Sequence, residues 1–229
     1  MTSRANAQPQ LTGAQTYAVV RYYATLFGAS QRWLAPALLY GIALAIDSAA
    51  GDRASDAYAY SAAFLVPVAA WMTRSMLTLE PAESASMVAT LVGPARARLA
   101  ALSAAAAFGL VCAVIGAIVA SFASTGGSTS MVLAGLCTEL ICVLIGSAAG
   151  AVAAPPLVPA TGWGVLLAGL LGLGLLIARF SPADLSIRAL TTVSNGGALH
   201  FPLYTLPFAI VVTGIAWALA TYSASRHLV

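Results

Sequence analysis

Long apolar runs broken by short polar stretches dominate the chain. Six of them stand out, at roughly residues 33–50, 57–78, 99–122, 131–153, 163–180 and 200–222. A bilayer core takes about 20 mostly apolar residues in one helix, so each run predicts a membrane span, the first and fifth a little short. The pattern predicts an all-α polytopic membrane protein with six transmembrane helices. Residues 1–15 read as a flexible cytoplasmic N-terminus and 16–229 as a single transmembrane domain. The opening "MTSRANAQPQLTGAQ" lacks the apolar core of a cleavable signal peptide.

Three segments outside the spans still carry helical patterns. Before the first span, Tyr17, Val20, Ala24 and Phe27 recur at helical spacing, with Arg21, Thr25 and Arg32 between them. This predicts an amphipathic helix lying in a membrane interface; the alternative is a polar-side extension of the first span. After the fifth span, Ser181, Pro182 and Asp184 signal a helix start. Leu185, Ala189 and Val193 give that helix one apolar stripe before Asn195-Gly196-Gly197 breaks it. It reads as a short re-entrant helix, or as an ordinary surface helix.

The third segment, "LEPAESASMVATLVGPARARLAAL" at 79–102, lies between the second and third spans. Pro81 suits a first helical turn, and Glu80 and Glu83 sit at its positive end. Met87, Val88, Leu91 and Val92 are expected on one face. Gly93-Pro94 ends the helix, because proline disfavours the helical state in the residue before it. Arg96 and Arg98 then mark the interface where the third span begins.

Composition supports a membrane setting. Hydrophobic residues make up 60%, charged residues 7%, and mean hydropathy is +0.91, where a soluble domain carries about 25% charged residues. All ten cationic side chains are arginine, which with the alanine content fits a high-GC bacterial source. A net charge of +3, so scattered, excludes nucleic-acid binding as a design. The arginines set orientation instead. With both termini inside, Arg4, Arg21, Arg32, Arg74, Arg96, Arg98 and Arg226 are cytoplasmic, against Arg53, Arg179 and Arg188 outside. The positive-inside rule therefore predicts a cytoplasmic-membrane protein with cytoplasmic N- and C-termini. Trp33, Tyr58, Tyr60, Trp163 and Tyr222 fall near the predicted interfaces, Trp71 and Trp217 deeper.

Cys112, Cys137 and Cys142 lie inside apolar runs and read as small packing residues. His200 and His227 have no ligand-spaced acid or cysteine, so no metal is expected. The small-residue stripes Gly164/Ala168/Gly172 and Gly146/Gly150 predict close helix packing. Pro67, Pro202 and Pro207 are expected to kink their spans.

Glu139 stands mid-span in "MVLAGLCTELICVLIGSAAGAV". An ionised side chain there costs on the order of 3 kcal/mol. It either lines a substrate path, attracting cationic cargo or gating it, or is a hydrogen-bonded packing residue. Arg74 is expected to snorkel to the inner face, too far along the spans to pair with Glu139.

The 79–102 segment resembles the coupling loop of ABC type-2 transporter permeases, and the resemblance extends over nearly the whole chain. Glu80 and Glu83 match the family's acids, Met87, Val88, Leu91 and Val92 its helix, and Pro94 with Arg96 its terminator. Ala85-Ser86 stands where the family has Gly-Thr, and a following Glu is absent. The resemblance implies an amphipathic elbow helix, six spans, a coupling helix seated in an ATPase groove, and a re-entrant element before the last span. It also implies an assembly of two permeases, as a homodimer or with a related paralogue, and two ATPase subunits.

Without lysine no G-x-x-x-x-G-K-[ST] phosphate loop exists here. ATP and Mg are expected on the partner ATPase, and no cofactor on this chain. The expected activity is export of a hydrophobic or amphipathic compound (a drug-like natural product, lipid or peptide) through a membrane whose lipids are the remaining partners. The competing readings are an intramembrane enzyme, which lacks a His and acid cluster, and an ion-coupled carrier or scaffold, for which no internal repeat is evident.

Overall fold

The computed structural model describes residues 13–51, 53–158, 161–198 and 201–226, without the side chains of 13, 14, 82, 83, 161, 162 and 194. Expectations for 1–12, His200, His227 and the Glu83 side chain lie outside it. The described residues form α1 (Gly13–Ala29), α2 (Leu34–Ala50), α3 (Ala54–Leu77), α4 (Ala82–Val92) and α5 (Pro94–Ala123). These are followed by α6 (Thr129–Val152), α7 (Thr161–Ile177), α8 (Pro182–Ser194), a 3-10 turn at Pro202–Tyr204 and α9 (Thr205–Arg226). No strand occurs among them, only an isolated bridge between Arg53 and Thr125.

Among the described residues, three helices are long and apolar enough to cross a membrane: α5, α6 and the run Pro202–Arg226. The number rises to five if each of two bent pairs is one span. Those pairs are Gln15–Ala29 with Leu34–Ala50, bent by 73°, and Trp163–Ile177 with Pro182–Val193, bent by 49°. The 24-residue α3 is not among them, carrying Asp56 and Arg74. Its position explains its composition. It packs against α2, α5, α6, α7 and α8, so protein surrounds it and lipid contact does not select its residues.

In lipid the hydrophobic effect gives little drive for helices to associate, and close van der Waals contact takes its place. The core is accordingly built from small residues. Gly146 and Gly150 of α6 face the α3 backbone: a Cβ on Gly146 would lie 2.5 Å from the Val66 carbonyl, and one on Gly150 would meet the Ala70 carbonyl. The α7 stripe faces the same helix, with Gly172 against Pro67 and Gly164 against the Arg74 guanidinium. Both sequence stripes are thus packing surfaces for α3.

Several sequence expectations need correction. The buried face of α1 is Tyr23 and Phe27, the latter edge-on to Phe108 at 5.0 Å, whereas Tyr17 is exposed. On α8 the fully covered side chains are Ala183, Ser186 and Leu190; of the expected stripe Ala189 is buried, with Leu185 and Val193 only partly covered. Pro67 stands inside α3, where its expected kink would fall. Pro202 opens the 3-10 turn and Pro207 falls in the first turn of α9, where no intrahelical N–H is needed.

The turns define two ends. Ala54 N–H donates to the Thr125 carbonyl at 3.1 Å, joining the α2–α3 and α5–α6 turns at one end. At the other end lie α4, the start of α5 and the C-terminal side of α9, where Ala224 shares a cavity with Ala85 and Ala89 of α4.

Candidate coupling face and buried carboxyl cluster

α4 is held between α3 and α5 by short connections. Pro81 occupies the N-cap position, one residue before the expected first turn. Gly93 has φ 87 and ψ 142, a conformation left to glycine. That residue lets the chain reverse directly into α5, whose first residue is Pro94. Pro94 therefore starts α5 as much as it ends α4.

The four apolar positions expected on one face are divided. Met87 and Leu91 are 68% and 79% exposed, while Val88 and Val92 are partly covered. Successive residues lie about 100° apart around a helix at 3.6 per turn, so the pair 87/91 points outward and 88/92 flanks the bundle side. Beneath α4 is a cavity of about 130 Å³ lined in part by Tyr23, Met76, Glu80, Ala89 and Arg98.

Glu80 turns to α1. Its Oε1 accepts from the Tyr22 hydroxyl at 2.7 Å and its Oε2 from the Tyr23 hydroxyl at 3.0 Å. The bond to Glu80 holds the Tyr22 hydroxyl above its ordinary pKa, and burial followed by the Glu80 charge does the same for Tyr23. Both phenols thus remain donors. Arg32 adds a third tie, donating to the Thr78 carbonyl at 2.9 Å. The Glu80 carboxylate thus fastens α1 to the head of α4. Tyr22→Phe with Tyr23→Phe is expected to cost about 1–3 kcal/mol, at ~0.5–1.5 kcal/mol per bond. Limited proteolysis of the double variant should cut α1 earlier than in the parent chain.

Arg96 is exposed and borders an open groove of about 370 Å³ with Val19, Val20 and Leu99. Arg98 turns inward instead and donates to the Pro155 carbonyl. Arg74, 2% exposed, donates to the Ala153 carbonyl. Ala153 is the C-cap of α6, where carbonyls lack intrahelical donors and a cation is favoured. Arg74 therefore does not snorkel to water; the protein supplies its acceptor.

Glu139 lies inside the bundle, 0% exposed. Its Oε1 accepts from the Ser61 hydroxyl at 2.7 Å, and Ser61 and Tyr40 hydroxyls are 2.7 Å apart. Its Oε2 is buried without a hydrogen-bond partner. A Cβ on Gly116 would meet Tyr40, Ser61 and Glu139 together, so α2, α3, α5 and α6 all contribute to the cluster. The sequence singled out Glu139 and gave no sign of Tyr40, Ser61 or Gly116, which lie on other helices, Ser61 78 positions away and Tyr40 farther still. Likewise nothing local joined Tyr22 and Tyr23 to Glu80. Cys112 and Cys142 are buried, Cys137 half-buried, and all three are free thiols. Among the described residues no group of three or more His, Cys, Asp or Glu could hold a metal. No protein-family model, curated protein or solved structure matches this chain.

Proposed function

We propose that this chain is the transmembrane permease subunit of an ATP-binding-cassette exporter. The observation that carries the reading is α4: an 11-residue helix braced at the end of the bundle, with Met87 and Leu91 turned away from it. Two large apolar side chains on a short helix, fixed at both ends, suit a groove on another protein better than open water. The braces to α1 and α5 would carry a push on α4 into the bundle.

In this reading α2, α3, α5, α6, α7 and α9 are the six crossings, α1 is the interfacial elbow, and α8 is the re-entrant element. The arginine bias assigns the α4 end, and both termini, to the cytoplasm. Two such permeases and two ATPase subunits would make the transporter, with ATP and Mg held by the ATPases. The cargo class is a hydrophobic or amphipathic compound: a drug-like molecule, lipid or peptide. Short outer connections favour cargo taken from the inner leaflet or cytoplasm.

The test is hydrolysis. Purified alone, the chain is expected to show no magnesium-dependent ATP hydrolysis. Extracted from native membranes in mild detergent, it should carry a stoichiometric subunit bearing a phosphate loop, and hydrolysis with it. A full-length preparation that transports cargo with no such subunit would contradict the proposal.

A further inference from the structure

We propose that Glu139, with Ser61 and Tyr40, forms a proton-binding site at the centre of the bundle, and that the helices close around it by taking up one proton. The inference rests on the geometry of this cluster and is independent of the transporter reading.

Ser61 has one hydroxyl hydrogen, and it is given to Glu139 Oε1. The Tyr40 hydroxyl must then donate to Ser61 across their 2.7 Å contact. The carboxyl thus receives one donor at Oε1 and none at Oε2. An ionised carboxylate has about four acceptor sites, and burying it with a single hydroxyl is strongly unfavourable. The titratable side chains facing the cluster are Tyr40 of α2, Tyr58 of α3, Cys112 of α5 and Cys142 of α6. None is a cation.

The acids on the packed helices, Asp47 of α2 and Asp56 of α3, lie about 10 and about 8 Å along their helices from Tyr40 and Ser61, at ~1.5 Å per residue, and the arginines are placed elsewhere. Arg74 lies about 20 Å along α3 from Ser61, at ~1.5 Å per residue, and donates to Ala153. Arg188 on α8 pairs with Asp184 at 2.7 Å, and Arg226 sits over Tyr222 at the end of α9. A metal cation has no room between the oxygens, whose two separations of 2.7 Å are hydrogen-bond lengths. The cluster rests on the bare Cα of Gly116, where even a methyl group would collide. A proton on Oε2 neutralises the acid without displacing anything.

Closing therefore forms one O–H bond at Glu139, the proton coming from water. Opening breaks that bond, returns the proton to water and hydrates the carboxylate. The sign follows: the closed bundle holds the protonated form, so it is favoured as pH falls and weakened as pH rises.

The test uses the full chain in lipid nanodiscs. Infrared spectra at neutral pH are expected to show a protonated-carboxyl stretch that vanishes in Glu139→Gln. Should that variant fail to fold, Glu139→Asp keeps the acid and should shift the band. Alkylation of Cys142, one turn along α6, by a small membrane-permeant reagent gives the second readout. Raising the pH should accelerate it several-fold more in the parent chain than in Glu139→Gln, while Glu139→Asp, which keeps a titrating acid, should retain an acceleration. An ionised Glu139 at neutral pH, or equal Cys142 acceleration in the parent chain and Glu139→Gln, would overturn the proposal.

Discussion

Met87→Asp combined with Leu91→Asp is expected to reduce ATP-driven export by roughly tenfold or more, which corresponds to ~1.4 kcal/mol or above at the interface. The chain itself should remain folded and inserted. Both side chains are mostly exposed, so their loss opens no cavity, and neither lies in a span. The change places two charges where a partner's apolar groove would have to desolvate them. Val88→Ala is the control: it thins the bundle side of α4 and leaves the outward pair intact, so it should act on stability more than on coupling. Export, detergent stability and retained ATPase measured on the same preparations separate the two effects. Normal export by the double aspartate variant would remove α4 as the coupling element.

Arg74→Ala is expected to destabilise the chain by about 2–4 kcal/mol. It orphans the Ala153 carbonyl at the end of α6, worth about 1–3 kcal/mol, and leaves a void under α7. The neighbouring glycine supplies a sharper form of the prediction. A Cβ on Gly164 would collide with the Arg74 guanidinium, so Gly164→Ala should be harmful in the parent chain. In the Arg74→Ala background the same substitution should be neutral or stabilising, because the colliding group is gone. Thermal unfolding in detergent of the two single variants and the double variant measures this coupling. Additive effects would show that Gly164 does not depend on Arg74.

The contrast between these two sites shows what a sequence reading can reach here. Local chemistry was legible: the break at Gly93-Pro94, the small-residue stripes on α6 and α7, and the oddity of a mid-span acid at Glu139 are all properties of neighbours in sequence. The helix between 79 and 102 was found for the same reason, as was its apolar character. What a hydropathy pattern does not contain is which helix others surround. α3 looked like any other span, yet it is the central helix, and protein contact on all sides is what permits Asp56 and Arg74 within it. Arg74 was misread accordingly, since snorkelling presumes lipid where the chain provides the Ala153 carbonyl.

Pairings across long separations were the other blind spot. Glu80 carried the right sign for a helix start, but its hydrogen-bond partners, Tyr22 and Tyr23, lie 58 and 57 positions earlier. The α1 stripe failed for a related reason. Spacing identified a helix with an apolar side but took Tyr17 for a member of it, whereas contact with Phe108 on α5 selects Tyr23 and Phe27. Orientation around the helix axis is decided by the neighbour, and the neighbour is not in the local sequence.

The most direct measurement of the proposed role is site-specific photocrosslinking from α4 in native membranes. A photoreactive amino acid in place of Leu91, which points away from the bundle, should capture a subunit carrying a G-x-x-x-x-G-K-[ST] phosphate loop. The same probe in place of Ala89, which faces the internal cavity, should give little of that product. Capture from position 91 but not 89 is the result the account predicts. Capture of lipid alone from position 91, or no difference between the two positions, would contradict it.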